Sequence, residues 1–187
     1  MTAAALLTDS TWSMPDGLAD ERGIGVLPLQ VTAGPRALTD VPGNAEAIDS
    51  LLASGRGLGT SQPGPVAILE GLHAAAAQGA ERILGVFVSS ELSGTCESVR
   101  VAAAEFTLET GIPVTAVDSR TVAAGTGLAV LAASDVLRSG GDADLAEETA
   151  RTVAASARVC FTVPDLMHLK RGGRLPVTKA IVGRALG

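Results

Sequence analysis

Aromatic side chains are almost missing from these 187 residues: three Phe, one Trp and no Tyr. Recognition of nucleic acid by base stacking needs aromatic platforms, so their scarcity argues against that class. Fourteen basic against twenty acidic residues leave a net charge of −6, which argues against a general binder of phosphate backbones. No block of like charge suggests a disordered tail. The two cysteines, Cys96 and Cys160, are too few for a disulfide framework, and no Cys/His cluster has zinc spacing. Each is expected to be a small buried hydrophobe in a reducing compartment. No metal site and no cofactor is expected.

Other absences narrow the field further. Met1 to Leu7 lacks a basic segment and runs into Thr8-Asp9, too short for a signal peptide. The longest apolar-rich stretch, Thr121 to Leu137, is diluted by Ala, Gly and Thr and interrupted by Asp135. It predicts a buried helix rather than a membrane span, and the expected location is cytoplasmic. There is no Gly-x-x-x-x-Gly-Lys-Ser/Thr phosphate loop and no Gly-x-Gly-x-x-Gly after the first apolar run. Ser93 lies outside a Gly-x-Ser-x-Gly elbow, and the two histidines, His73 and His168, sit in segments that promise no base beside it.

What the chain does hold is Ala, Val, Leu and Ile, in alternating short and long stretches. Ala3–Leu7, Ile24–Val31, Ile83–Val88, Pro113–Val117 and Val159–Val163 are short apolar runs without clear polar alternation, the pattern of strands buried on both faces of a parallel sheet. Between them, Ala45–Ala53, Pro65–Gln78, Thr95–Glu109, Val122–Arg138 and Leu145–Ala157 carry helical spacing. Asn44, Ser61-Gln62-Pro63 and Asp142 mark starts; Gly79, Gly111 and Gly140-Gly141 mark ends. The predicted fold is α/β, a mostly parallel sheet with helices on both faces.

Charge divides the chain. Residues 1–160 hold nine Arg against nineteen acids, whereas residues 161–187 hold five basic residues against one acid, including both lysines, Lys170 and Lys179. A unit over 1–163 and the start of a second over 164–187 are therefore expected. The sequence ends in an apolar helical pattern, Val177, Ile181 and Ala185, which reads as a helical stub.

Ligands bind at the carboxyl ends of strands in open parallel sheets. The segments expected there are Thr8-Asp9-Ser10-Thr11, Ser89 to Thr95 and Asp118-Ser119-Arg120-Thr121, with Thr60-Ser61-Gln62-Pro63 leading directly into a helix. Singly, each is an ordinary helix cap. Together, their hydroxyls and free N–H groups suit a small anion, a carboxylate or a phosphate. Arg174, in Lys170-Arg171-Gly172-Gly173-Arg174, is either a solvated basic turn or a guanidinium aimed at that anion or at a partner's phosphate.

These loops resemble the DegV family of bacterial fatty-acid-binding proteins, also described as B subunits of fatty acid kinase. The resemblance rests on Thr8-Asp9-Ser10-Thr11, Val26-Leu27-Pro28-Leu29, Thr60-Ser61-Gln62-Pro63, Ser89-Ser90-Glu91-Leu92-Ser93-Gly94-Thr95, Val117-Asp118-Ser119 and Leu169-Lys170-Arg171-Gly172-Gly173-Arg174, in that order. It implies a two-lobed α/β protein that buries a long-chain fatty acid between its lobes. By that likeness Thr60 and Ser93 hydrogen-bond the carboxylate, Ser61, Gly94 and Thr95 shape the cradle, and Arg174 lies near the same end. The family is not itself catalytic: it presents the carboxylate to a separate ATP-using kinase subunit, which makes an acyl phosphate. Members continue for about another lobe beyond the Gly-Gly-Arg segment, so most of the second lobe is expected to be lacking here. Cys96 stands where an aromatic is common.

Two rival expectations stand beside a carrier. One is a hydrolase or transferase acting on a small carboxylated or phosphorylated substrate, with Asp9 or Asp118 as acid/base and Ser93 as nucleophile. The other is a partial lobe that folds without binding a ligand.

Overall fold

The structure is a computed structural model that describes residues 3–54, 57–162 and 172–174. Four strands, β1 (Ala4–Asp9), β2 (Ile24–Leu27), β6 (Arg82–Phe87) and β7 (Val114–Asp118), form an all-parallel sheet in the order β2-β1-β6-β7. Their side chains alternate between two buried faces. Leu6, Ile24, Leu84, Val86 and Val117 point into one core, and their neighbours Leu7, Leu27, Ile83 and Phe87 into the other. A strand buried on both sides has no polar face, which is why these runs look uniformly apolar.

Helices cover each face. α3 (Pro65–Ala77) and α4 (Thr95–Thr110) bring Ile68, Leu72, Val99 and Phe106 to one core. α5 (Ala124–Arg138) and α6 (Ala143–Ser156) cover the other through Ala129, Ala133, Ala146, Ala150 and Ala154. Alanines at that seam let two helices pack closely with little side-chain entropy to lose. Asp142 caps α6 by accepting the Leu145 N–H at 2.8 Å, and Gly111 closes α4 with φ +75°. The α/β class, parallel sheet and two helical layers match the sequence expectation.

Three local expectations need correction. Ile24–Val31 is two strands, because Pro28 brings no amide to a ladder. After it the chain enters a second, antiparallel sheet in the order β4-β3-β5, made of β3 (Gln30–Ala33), β4 (Arg36–Thr39) and β5 (Gly59–Ser61). Thr60 therefore lies in a strand, opposite Val31, and α3 opens two residues after Pro63 with Pro65 in its first turn. Residues 159–162 of the expected fifth strand are irregular, and Cys160 is exposed where burial was expected. Two further elements, α1 (Leu18–Arg22) and α2 (Ala45–Ala53), flank β2 and the small sheet; only α2 was expected. The expected helical stub lies outside the described residues, as does His168.

Candidate functional site

Everything at the candidate site meets the turn Ser89–Thr95, between β6 and α4. Ser89 accepts the amides of Leu92 and Ser93 on its carbonyl, at 2.9 and 3.0 Å, and donates its own amide to the Thr121 carbonyl at 2.9 Å. The turn is thus closed on itself and tied to the segment after β7. Ser93 is half-buried, and its Oγ lies 2.9 Å from the Oγ1 of fully buried Thr95. The Thr95 amide also donates to Ser93 Oγ, at 3.4 Å. When Thr95 supplies the proton between the two hydroxyls, the Ser93 proton is left to point at a ligand.

From the small sheet, the segment after Thr60 reaches the same turn. Gln62 places its side-chain amide against Gly94, in the space a β-carbon there would need. Its Nε2 donates to Ser98 Oγ at 2.6 Å, in the first turn of α4. Thr60 and Ser61 are exposed in β5, and two residues of chain span at most about 7 Å. Gln62 thus ties the end of β5, two residues beyond Thr60, to the turn that carries Ser93. Arg174, exposed, donates from Nε to the Leu92 carbonyl at 3.0 Å and from a terminal nitrogen to Gly172 at 2.6 Å. Gly173 between them has φ +74°, which glycine adopts without penalty.

Two carboxylates hold the strand ends. Asp9, buried, caps the 3-10 turn Ser10–Trp12 by accepting the Thr11 N–H at 3.0 Å and Thr11 Oγ1 at 2.5 Å, and its other oxygen accepts the Val88 N–H at 2.8 Å. Burial pushes its pKa above the usual 3.8, and the three hydrogen bonds only partly oppose this. Asp118 accepts the amides of Ser90 and Arg120, at 3.1 and 2.8 Å, and the Ser90 hydroxyl at 2.5 Å. Partial burial works against its charge, yet those bonds outweigh it and the pKa falls below 3.8. Both aspartates spend their oxygens organising backbone, and neither touches Ser93.

His73 is exposed on α3, edge-on to Phe106 with ring centroids 5.1 Å apart, and 3.9 Å from Glu109. Sequence reasoning placed no weight on Arg120 and Arg158. Both line a groove of about 640 Å³ that runs from Ser89 and Leu92 to Ala157 and Val159. Glu91 lines the same groove, and Arg158 donates from a terminal nitrogen to the carbonyls of Ala155, Ser156 and Ala157 at the end of α6. Spacing along the sequence carries no sign of the groove, since Arg158 follows α6, far along the chain from Ser93. Among the described residues no group of three or more His, Cys, Asp or Glu has a metal-binding arrangement, and no helix is long and apolar enough to cross a membrane.

The fold and these turns define a class of protein: a parallel α/β lobe with hydroxyl-rich turns at its strand ends, the edge at which such sheets receive ligands. The chain belongs to the DegV family: residues 3–187 match the pattern described as "Uncharacterised protein, DegV family". It is 35% identical over 185 residues to a DegV domain-containing protein of Streptomyces coelicolor, spanning 97% of this chain and 64% of that one. Its fold is similar to a Thermus thermophilus DegV family protein described by its fatty acid binding, with TM-score 0.82 and 30% identity over 97% of this chain and 64% of the other. It is also similar to Bacillus subtilis DegV, described as a fatty acid binding protein, with TM-score 0.79 and 23% identity over 98% and 64% of the two chains. The chain thus spans about 64% of the length of the relatives it matches.

Proposed function

We propose that this chain binds a long-chain fatty acid as a carrier rather than an enzyme. Thr60 and Ser93 donate to the carboxylate, Ser61, Gly94 and Thr95 shape the cradle, and Arg174 adds positive charge at the same rim. The observation that carries this is the seating of Gln62 on Gly94, which joins the Thr60 strand to the Ser93 turn. The Thermus thermophilus relative described by its fatty acid binding supports the choice of a lipid carboxylate over other anions. Residues 1–163 form the head-group lobe and 164–187 begin the second, with the acyl chain between lobes. The carrier works in the cytoplasm and presents its carboxylate to a separate fatty acid kinase subunit for acyl-phosphate formation.

Magnitudes divide the labour. Ten buried methylenes contribute about 8 kcal/mol at ~0.8 kcal/mol each, and each hydroxyl bond to the carboxylate about 1.5–3 kcal/mol. The acyl chain sets affinity, and the hydroxyls set orientation. Delipidated protein titrated with palmitate in a calorimeter tests this. Thr60→Ala and Ser93→Ala should each weaken binding about tenfold or more, and Ser93→Ala should reduce acyl-phosphate formation by an added kinase subunit more than it reduces uptake. If wild-type protein neither takes up palmitate nor carries lipid from the expressing cells in native mass spectra, the proposal fails.

A further inference from the structure

We propose that Asp118 is the positioning residue of the Ser93 cradle, acting through Ser90 and never touching the ligand. This rests on the carboxylate-binding role proposed for Ser93. Asp118 takes both polar groups of Ser90, the amide at 3.1 Å and the hydroxyl at 2.5 Å. Ser90 is the second residue of the turn whose Ser89 carbonyl receives the Leu92 and Ser93 amides. With Ser90 held, the chain must pass through Leu92 to Ser93 in one conformation, and Ser93 Oγ arrives beside Thr95 Oγ1. The grip begins at a strand end, where Asp118 pairs opposite Phe87 in the parallel ladder. The turn is therefore referenced to the hydrogen-bonded ladder of the parallel sheet.

Backbone strain marks the same loop. Arg120 and Ala123 have φ +53°, a region that side chains other than glycine, Asn and Asp seldom adopt. Asp118 accepts the Arg120 amide at 2.8 Å and so helps to hold that residue there. Strained non-glycine residues persist where the surroundings over-determine them, and they cluster at ligand clamps. The Thr121 carbonyl, in the strained stretch, receives the Ser89 amide. One loop thus grips the turn at Ser89 through its backbone and at Ser90 through Asp118.

Asparagine separates positioning from charge. In Asp118→Asn the remaining oxygen still accepts the Ser90 and Arg120 amides, and the new NH2 donates to the Ser90 hydroxyl. Asp118→Ala keeps none of these bonds. The test pairs palmitate titration with amide hydrogen exchange at Leu92 and Ser93, in wild type, Asp118→Ala, Asp118→Asn and Ser90→Ala. Asp118→Ala should weaken palmitate binding about tenfold and raise exchange at the two amides about tenfold. Asp118→Asn should restore both to within about twofold of wild type, and Ser90→Ala should fall between. If Asp118→Ala does not fold, Ser90→Ala against Asp118→Asn carries the same comparison. Unchanged exchange in Asp118→Ala or Ser90→Ala, or failure of Asp118→Asn to rescue, overturns the proposal. Should wild-type protein bind no palmitate, the fatty-acid function is lost, and the exchange rates alone decide whether Asp118 sets the turn.

Discussion

Gln62 lies across Gly94 and donates to Ser98 at 2.6 Å, so that one side chain joins the small antiparallel sheet to the first turn of α4. A methyl group at Gly94 would occupy the place of the Gln62 amide. The far end of Gln62 is flexible and can swing into solvent, so the fold should lose little. The tether to Ser98 would go with it.

Gly94→Ala should therefore leave thermal stability within about 1 kcal/mol of wild type, the scale of one hydrogen bond, while weakening palmitate binding about fivefold. Thermal melts and calorimetric titration of the same preparation separate the two effects. Equal affinity in the variant would show that the Gln62 tether does not set the position of Thr60.

The large elements were legible because their physics is local. Two-sided burial gives β1 and β6 their apolar runs, and Asp142 and Gly111 punctuate α6 and α4 in the way helix ends require. The small sheet was missed because β5 is three residues long and exposed, so neither periodicity nor apolarity marks it. Pro28 was the available sign that Ile24–Val31 could not be one strand. At the candidate site, hydroxyl-rich loops after strands were readable as a set. The grip of Asp118 on Ser90 and the groove that Arg158 lines together with Leu92 were not, since both join residues far apart in the sequence.

Asp9 and Asp118 should leave opposite traces on stability against pH. Burial raises the folded pKa of Asp9 above 3.8, so its contribution is fully present below 3.8 and is lost as pH rises through the folded value. Hydrogen bonds lower that of Asp118, so its contribution is present above 3.8 and is lost as pH falls through the folded value. Relative to Asp9→Asn, wild type should gain stability on acidification from neutral pH towards 3.8. Relative to Asp118→Asn, it should lose stability below 3.8. Urea midpoints across pH for the three proteins check both slopes, and parallel curves would refute the assignment.

The two cysteines should differ sharply in reactivity. Cys96 is fully buried in the first turn of α4, and burial pushes its thiol pKa up to about 11, which leaves almost no thiolate at neutral pH. Cys160 is exposed. Under native conditions iodoacetamide should add once, at Cys160, with Cys96 at least about a hundredfold slower until denaturant is added. Peptide mass spectra of timed samples read this directly, and equal labelling would mean that the core around Cys96 opens readily.

Two helical glycines should respond in opposite directions to the same methyl group. Replacing glycine by alanine within a helix gains about 1 kcal/mol from propensity alone. At Gly71, in α3, the added carbon would meet the end of the Leu27 side chain, which lines a cavity beside Gly71 into which it can turn. At Gly127, in α5, it would meet the Trp12 carbonyl as well as Met14, and a backbone carbonyl in a capped turn cannot rotate away. Overpacking of that kind costs about 1–3 kcal/mol, enough to exceed the propensity gain. Gly71→Ala should stay within about 1 kcal/mol of wild type, and Gly127→Ala should be destabilised by about 1–2 kcal/mol. Trp12 is the only tryptophan in the chain, so its emission in urea titrations reports on the turn that Gly127 presses. An unshifted spectrum together with an unchanged midpoint in Gly127→Ala would place α5 farther from the Ser10–Trp12 turn than the packing described here.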